Sequence, residues 1–499
     1  MEKIRFAVIT IIAVLLLGAF SPKAAAQFDE TVIKAGDYTK SEIQLMYAIE
    51  KCIQNRDSGG IDLRSYNIDK TRFEEIYGVV YFNHPDFFYV SATTAYMDYS
   101  RTTKKMRSFA PVFLYSKETT ARYARQIDSI ANDLIKSMGK GMTDVEKLLY
   151  IHDYIISECD YSEEGVRDSG DNGRNIYDTL VKKKAVCVGY SLTMQYFCDK
   201  LGITNITVTS ADHIWNMVRL SGKWYYIDNT WDDMLTGSPN FVAHFLFLVS
   251  ENAMEEYYAS HGDYFVSYDA DSEKYDDMFW EEVICKMNYY NGYWYYAKED
   301  GLYRYSFSGN REQKLVDISD VWYSTDGRSY SYSFSKTCIS GKYLFYSTKY
   351  NVIRYDLNTG SKDKVYTLDR KGDYAIYDIQ IKNGKLVVYS SDDDENMGKV
   401  KKIVSIKGLS NTDTTYHDDM GLRASKSGDK ITLRWDSDPD AEQYYVYRYN
   451  KSTKKYTRIA TVADNSYTFK KTGKDNNCEY AIRIRTAEGL SGFSATKGV

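Results

Sequence analysis

The dipeptide Ser221-Gly222 sits between two strand-like runs, His213–Leu220 and Lys223–Asp228. A two-residue turn of this kind closes a tight antiparallel hairpin and fixes its register. Leu220 then faces Lys223, Trp215 faces Asp228 and His213 faces Thr230. His213 and Asp228 become diagonal neighbours on one face, about 7–8 Å apart between backbones and within side-chain reach. A slip of one residue would send them to opposite faces. The turn therefore commits this stretch to a hairpin that offers an imidazole and a carboxylate on the same side.

A third reactive side chain precedes them. Cys187 lies in Ala185-Val186-Cys187-Val188-Gly189-Tyr190-Ser191, ahead of a helical pattern that runs from Ser191 to Leu201 and ends at Gly202. A helix starting at Gly189 or Tyr190 would set Cys187 at its positive end, where a thiolate is favoured. An imidazole beside the thiol and a carboxylate behind the imidazole complete a nucleophile, base and orienter. Cys, His and Asp in this order, on helix, strand and strand, predict acyl transfer through a thiol. Other reactive types have plainer readings. Cys198 falls on nearly the same helix face and reads as core. His152 and Asp153 lie in a helix that begins with a Thr143–Glu146 capping box, and read as surface or packing groups. His84 before Pro85 reads as a turn residue. Trp215, Trp224 and Trp231 read as cleft walls and core, with Trp215 the weak candidate for contact with substrate.

Ala-Val-Cys-Val-Gly-Tyr-Ser, His-Ile-Trp-Asn (213–216) and Trp-Tyr-Tyr-Ile-Asp-Asn-Thr-Trp-Asp (224–232) together resemble the bacterial branch of the transglutaminase-like superfamily. The resemblance covers about 140–235 well, and reaches more loosely to Asn83-His84-Pro85 and to Phe245–Ser250. It implies a papain-like α+β fold with Cys187 as nucleophile, His213 as base and acid, and Asp228 as its orienter. Members of that superfamily include protein cross-linkers, peptidases and amidases, so the resemblance leaves the reaction open. Animal transglutaminases place a tryptophan upstream of the cysteine as an oxyanion donor, and here no tryptophan precedes Trp215. The oxyanion would fall to the Cys187 backbone N–H and a further donor, for which Tyr177 is the weak candidate. No calcium-site signature of the animal enzymes is present.

A chain of 499 residues exceeds one core and is expected to be multidomain. Lys3, Arg5, the apolar stretch Phe6–Phe20 and Ala24-Ala25-Ala26 predict a signal peptide over 1–26, and so a secreted or cell-surface protein. The apolar stretch is short for a membrane span and no second one follows, so no integral membrane segment is expected in the mature chain. The expected order is an N-terminal α+β region (27–139), a transglutaminase-like catalytic domain (140–282), Tyr-rich β-repeats (283–410) and a fibronectin type III-like domain (418–499). The repeats rest on Gly292, Gly341 and Gly384, each opening an aromatic strand at blade-like spacing. They fit an incomplete propeller or stacked small sheets. The last region shows alternating strands, with Trp435 and Tyr480 placed as the buried tryptophan and tyrosine corner of a small sandwich. A polar linker at 411–419 precedes it.

The seven cysteines show no CxxC, and no HExxH occurs, so neither metal nor cofactor is expected. Asp392-Asp393-Asp394-Glu395 reads as a solvated loop. A net charge of −5 argues against nucleic acid and anionic membranes. The expected partner is a protein, peptide or cell-wall substrate, with carbohydrate or surface-protein contact through the C-terminal β domains. The alternative is a non-catalytic adhesion protein that keeps the scaffold.

Overall fold

The computed structural model describes residues 30–499 apart from 168–169, 234–240, 258–260, 262–263, 265, 323–334, 370–373, 383, 393–399, 407–420, 436–440, 454, 487–488, 491–493, 495 and 499. The expected signal peptide, the linker at 411–419 and most of the acidic run at 392–395 lie outside the described residues.

Helices begin where the sequence supplies caps. Lys40–Gln54 starts under a Thr39–Glu42 capping box, Lys70–Phe82 under Asp69, Lys117–Ser137 under Ser116 and Asp144–Glu158 under the Thr143–Glu146 box. The antiparallel pair Val90–Tyr99 and Met106–Phe113 separates the second helix from the third. After the fourth, Asp160–Tyr161 pairs in parallel with Lys184–Ala185, and a π-helical turn at Asp178–Lys182 leads into the cysteine helix, Cys187–Leu201.

The cysteine helix packs on a four-stranded antiparallel sheet ordered Asn205–Thr209, Ile214–Leu220, Lys223–Ile227, Phe247–Val249. Two hydrogen bonds pin helix to sheet: Ser191 Oγ donates to the Ile214 carbonyl (2.8 Å) and Asn216 Nδ2 to the Ser191 carbonyl (3.1 Å). The hairpin register is the one its turn dictates, from Leu220 opposite Lys223 to Asn216 opposite Ile227. The ladder stops there. Asp228 is the N-cap of a short helix, Asn229–Asp232, so Thr230 coils away instead of pairing with His213.

The Tyr-rich region forms three open antiparallel meanders in series, of four, four and three strands. Asn291 and Gly292 both take positive φ (49° and 84°) at the first hairpin, the conformation a two-residue primed turn requires. One apolar cluster joins the first meander to the second through Tyr295, Leu302, Leu344 and Tyr346. Another joins the second to the third through Phe345, Val352, Ile379 and Val388. The main core runs without a break from Val32 through the cysteine helix and its sheet to Trp294 and Tyr305, across the expected boundary at 282. In the last region, sheets of three and four strands bury Trp435, Val446, Tyr480 and Ile482 in a cluster of their own. Among the described residues no helix is long and apolar enough to cross a membrane.

Candidate active site

Cys187 is the first residue of its helix, two positions earlier than the pattern suggested, and Val186 at the N-cap supplies no side-chain acceptor. The unsatisfied first-turn N–H groups thus present their positive end around the thiol. A knot of backbone contacts holds this end. Val186 N–H donates to the Gly173 carbonyl (3.0 Å), and Gly173 N–H donates to Asp178 Oδ2 (2.7 Å). A Cβ on Gly189 would come within 2.6 Å of the Gly173 oxygen and 2.7 Å of Ala185 Cβ, which explains glycine one turn from the nucleophile. The N-terminal region reaches the same loop: Asp171 accepts from Ser91 Oγ, Ala92 N–H and Thr93 N–H.

His213 immediately precedes its strand and stands between thiol and carboxylate. Its Nε2 meets Asp228 Oδ2 at 2.5 Å, which leaves Nδ1 as the nitrogen not used by Asp228. Burial opposes a charge on this ring, but the Asp228 carboxylate and the neighbouring Cys187 outweigh it and push the imidazole up to about 10. Asp228 is buried, which alone would raise it, yet His213 and His261 hold it below the usual carboxylate range. Its other oxygen, Oδ1, accepts from the N–H groups of Thr230 (2.9 Å) and Trp231 (3.1 Å). The cap that ends the hairpin therefore also orients the carboxylate.

The structure brings Cys187, His213 and Asp228 together. Trp215 is 0% exposed and stacks on the His213 ring at 5.6 Å between ring centroids, so it packs beneath the imidazole. Tyr177 stacks on Tyr123 at 3.8 Å and gives its backbone N–H to Asn175 Oδ1. Two residues escaped sequence reasoning. His261 places Nε2 3.2 Å from the same Asp228 oxygen that His213 uses, and packs against Trp215 and Trp231. Tyr161, paired opposite Ala185, lies close enough to Cys187 and Asp228 for their charges to add to burial in raising its phenol, against the influence of Arg174. Scarcity was the available signal. The chain has only six histidines, and His152, His244 and His261 are buried with His213 close to burial.

Among the described residues, two groups have donor atoms close enough to share a metal ion: His213, Asp228 and His261, and His152, Asp153 and His244.

Residues 132–229 match the family model of the transglutaminase-like superfamily. This segment is similar to a transglutaminase-like domain. The chain is similar to human (Homo sapiens) kyphoscoliosis peptidase, 24% identical over 162 residues, or 29% of this chain and 23% of that one. It is equally similar to the mouse (Mus musculus) kyphoscoliosis peptidase, 24% identical over 141 residues, or 25% and 21%. It thus spans about a quarter of the length of the curated relatives it matches. A crystal structure of a TGase is 16% identical, covering 27% of this chain and 44% of that one at a TM-score of 0.20. The transglutaminase-like match ends at 229, on the residue after Asp228, and so takes in all three clustered residues.

Proposed function

We propose that this protein is a secreted thiol enzyme that acts on amide bonds of a protein, peptide or cell-wall substrate. The observation that carries the reading is His213 bridging Cys187 and Asp228 within a transglutaminase-like domain. A protonated His213 beside the thiol favours the thiolate. The thiolate attacks the carbonyl carbon, and the oxyanion is met by the Cys187 backbone N–H at the positive end of its helix. His213 gives its proton to the departing amine as the C–N bond breaks, leaving a thioester on Cys187. An amine or water then attacks; His213 takes a proton from it, and the thiol is regenerated. His261 acts on neither substrate nor thiol and holds Asp228 from behind. Which acceptor wins depends on how well the bound substrate excludes water. The sandwich-like last region and the Tyr-rich meanders place the enzyme on a surface or polymer.

All seven cysteines are free thiols and only Cys187 is not buried, so the test is specific. Iodoacetamide should label Cys187 far faster than the other six, and His213→Ala should slow it. Incubation with a glutamine-containing protein and a tagged primary amine, read by mass spectrometry, separates the outcomes. Incorporated amine shows transfer, glutamate in place of glutamine shows deamidation, and a cut backbone shows proteolysis. Uniform labelling with no covalent product overturns the reading in favour of an adhesion protein.

A further inference from the structure

His152 and Asp153, on the helix Asp144–Glu158, and His244, 91 residues after Asp153, meet behind the catalytic sheet. All three side chains are buried. His152 Nδ1 lies 3.1 Å from Asp153 Oδ1, and His244 Nε2 lies 2.9 Å from the same oxygen. The far nitrogen of each ring is also engaged: His152 Nε2 faces Asp232 Oδ2 at 3.0 Å, and His244 Nδ1 faces the Val283 carbonyl at 2.8 Å. The second Asp153 oxygen accepts the Met287 N–H.

Counting protons makes this arrangement informative. The Val283 carbonyl can only accept, so His244 carries its proton on Nδ1. In a neutral ring Nε2 is then a lone pair aimed at a carboxylate, which is repulsive. His152 has a carboxylate at each nitrogen, so a neutral ring likewise leaves one lone pair facing an anion. A divalent cation held between His152 Nδ1, His244 Nε2 and Asp153 Oδ1 gives each of these lone pairs a partner and balances the Asp153 and Asp232 carboxylates.

We propose that His152 Nδ1, His244 Nε2 and Asp153 Oδ1 form a site for a divalent transition metal, with Zn²⁺ the best match to two imidazoles and a carboxylate. Ligands bound at about 2.1 Å lie about 3.0–3.4 Å from one another, close to the 3.1 and 2.9 Å that separate the two ring nitrogens from Asp153 Oδ1, and all three donor atoms lie within 4.8 Å of one another. Each ring holds its distal N–H on a carboxylate or carbonyl, which fixes the tautomer and aims the free nitrogen at the ion. A cavity of about 570 Å³ reaches Asp153 between Tyr154, Lys286 and Met287, and gives a path for the ion and a place for water as a further ligand. The ion would tie the helix to the start of the first Tyr-rich meander through Val283 and Met287. Through Asp232, whose N–H is bonded to the Asp228 carbonyl, it would also brace the turn that carries the triad carboxylate.

The full chain, stripped with a chelator and dialysed, would be titrated with ZnCl₂ and separately with CoCl₂. We expect one tightly held ion per chain, a higher Tm, and a cobalt spectrum with no thiolate charge-transfer band. His244→Gln should lose the ion and His261→Gln should keep it. Should His244→Gln fail to fold, the wild-type cobalt spectrum and the His261→Gln variant still decide. No binding below millimolar metal, a thiolate band that marks Cys187, or loss of the ion in His261→Gln would each overturn the proposal. The last two would place the metal at the active site instead.

Discussion

Asp228→Asn changes one atom and should disable the site. The carboxylate takes four N–H groups, Thr230 and Trp231 on Oδ1, His213 and His261 on Oδ2. Asparagine offers one oxygen and one NH₂. With its oxygen kept on the backbone amides, the NH₂ faces two imidazoles. His213 answers by turning a lone pair toward it at Nε2, which puts its proton on Nδ1, facing Cys187. That tautomer cannot take the thiol proton, and the ring loses the anion that stabilised its charge. In the native site His213 is held at about 10, against about 6.5 for a free imidazole, a ceiling of about 4–5 kcal/mol on the protonated ring. Iodoacetamide alkylation of Cys187 at pH 6–7 should therefore fall by about 10²–10³-fold. The gap should close toward pH 10, where a thiol ionises without help. Stability has a definite sign too. Below about pH 6.5 the ring is protonated both folded and unfolded, so the pair contributes in full. The contribution falls as pH rises toward 10. On the acid side it is lost only once pH falls below the ordinary carboxylate range, through the depressed Asp228 value. The Tm difference between wild type and Asp228→Asn should thus be largest in mild acid, between the ordinary carboxylate range and about pH 6.5, and shrink as pH rises toward 10. A loss of alkylation that is equal at every pH would refute the electrostatic argument and leave Asp228 a purely structural role.

Gly189→Ala forces a Cβ against the Gly173 oxygen, and should cost about 1–3 kcal/mol in a urea titration while slowing alkylation by displacing the first turn of the cysteine helix. His261→Phe removes one donor from Asp228, worth about 0.5–1.5 kcal/mol, and should lower alkylation several-fold, with His261→Gln restoring most of it; equal rates in both variants would remove His261 from the relay. Deleting 418–499 should leave alkylation and turnover of a small peptide unchanged, because the clusters around Trp435 and Cys187 are separate. Loss of small-peptide turnover in a folded truncation would give the last region a part in the site.

The hairpin was legible because a two-residue turn and a period of two leave only one register, and the triad parity follows from it. The failure at Thr230 was also written locally. Asp228-Asn229-Thr230 is a helix-cap sequence, and a cap competes with strand continuation. That Trp215 shares a strand face with His213 was legible from the alternation, but its packing against His261 and Tyr264 beneath the imidazole is a tertiary fact with no local pattern. Tyr161 and His261 carry no local pattern. One reaches the site through a two-residue parallel strand and the other from 33 residues beyond Asp228. The His152–Asp153–His244 cluster escaped a search for metal spacing because its donors come from a helix and a distant loop.

The unbroken core from Val32 to Tyr305 decides how this protein can be cut and recombined. A fragment ending at 282 would strip the cover from helix Asp144–Glu158 and leave Glu146 without the Trp294 indole that bonds it at 3.2 Å. It would also lose the Val283 carbonyl that orients His244 and the Met287 N–H that satisfies Asp153. Keeping these contacts within one fragment requires the thiol region to carry its first meander. A tyrosine-rich sheet that reads in sequence as an appendage is, in the folded protein, part of the wall around the cysteine helix and its neighbours.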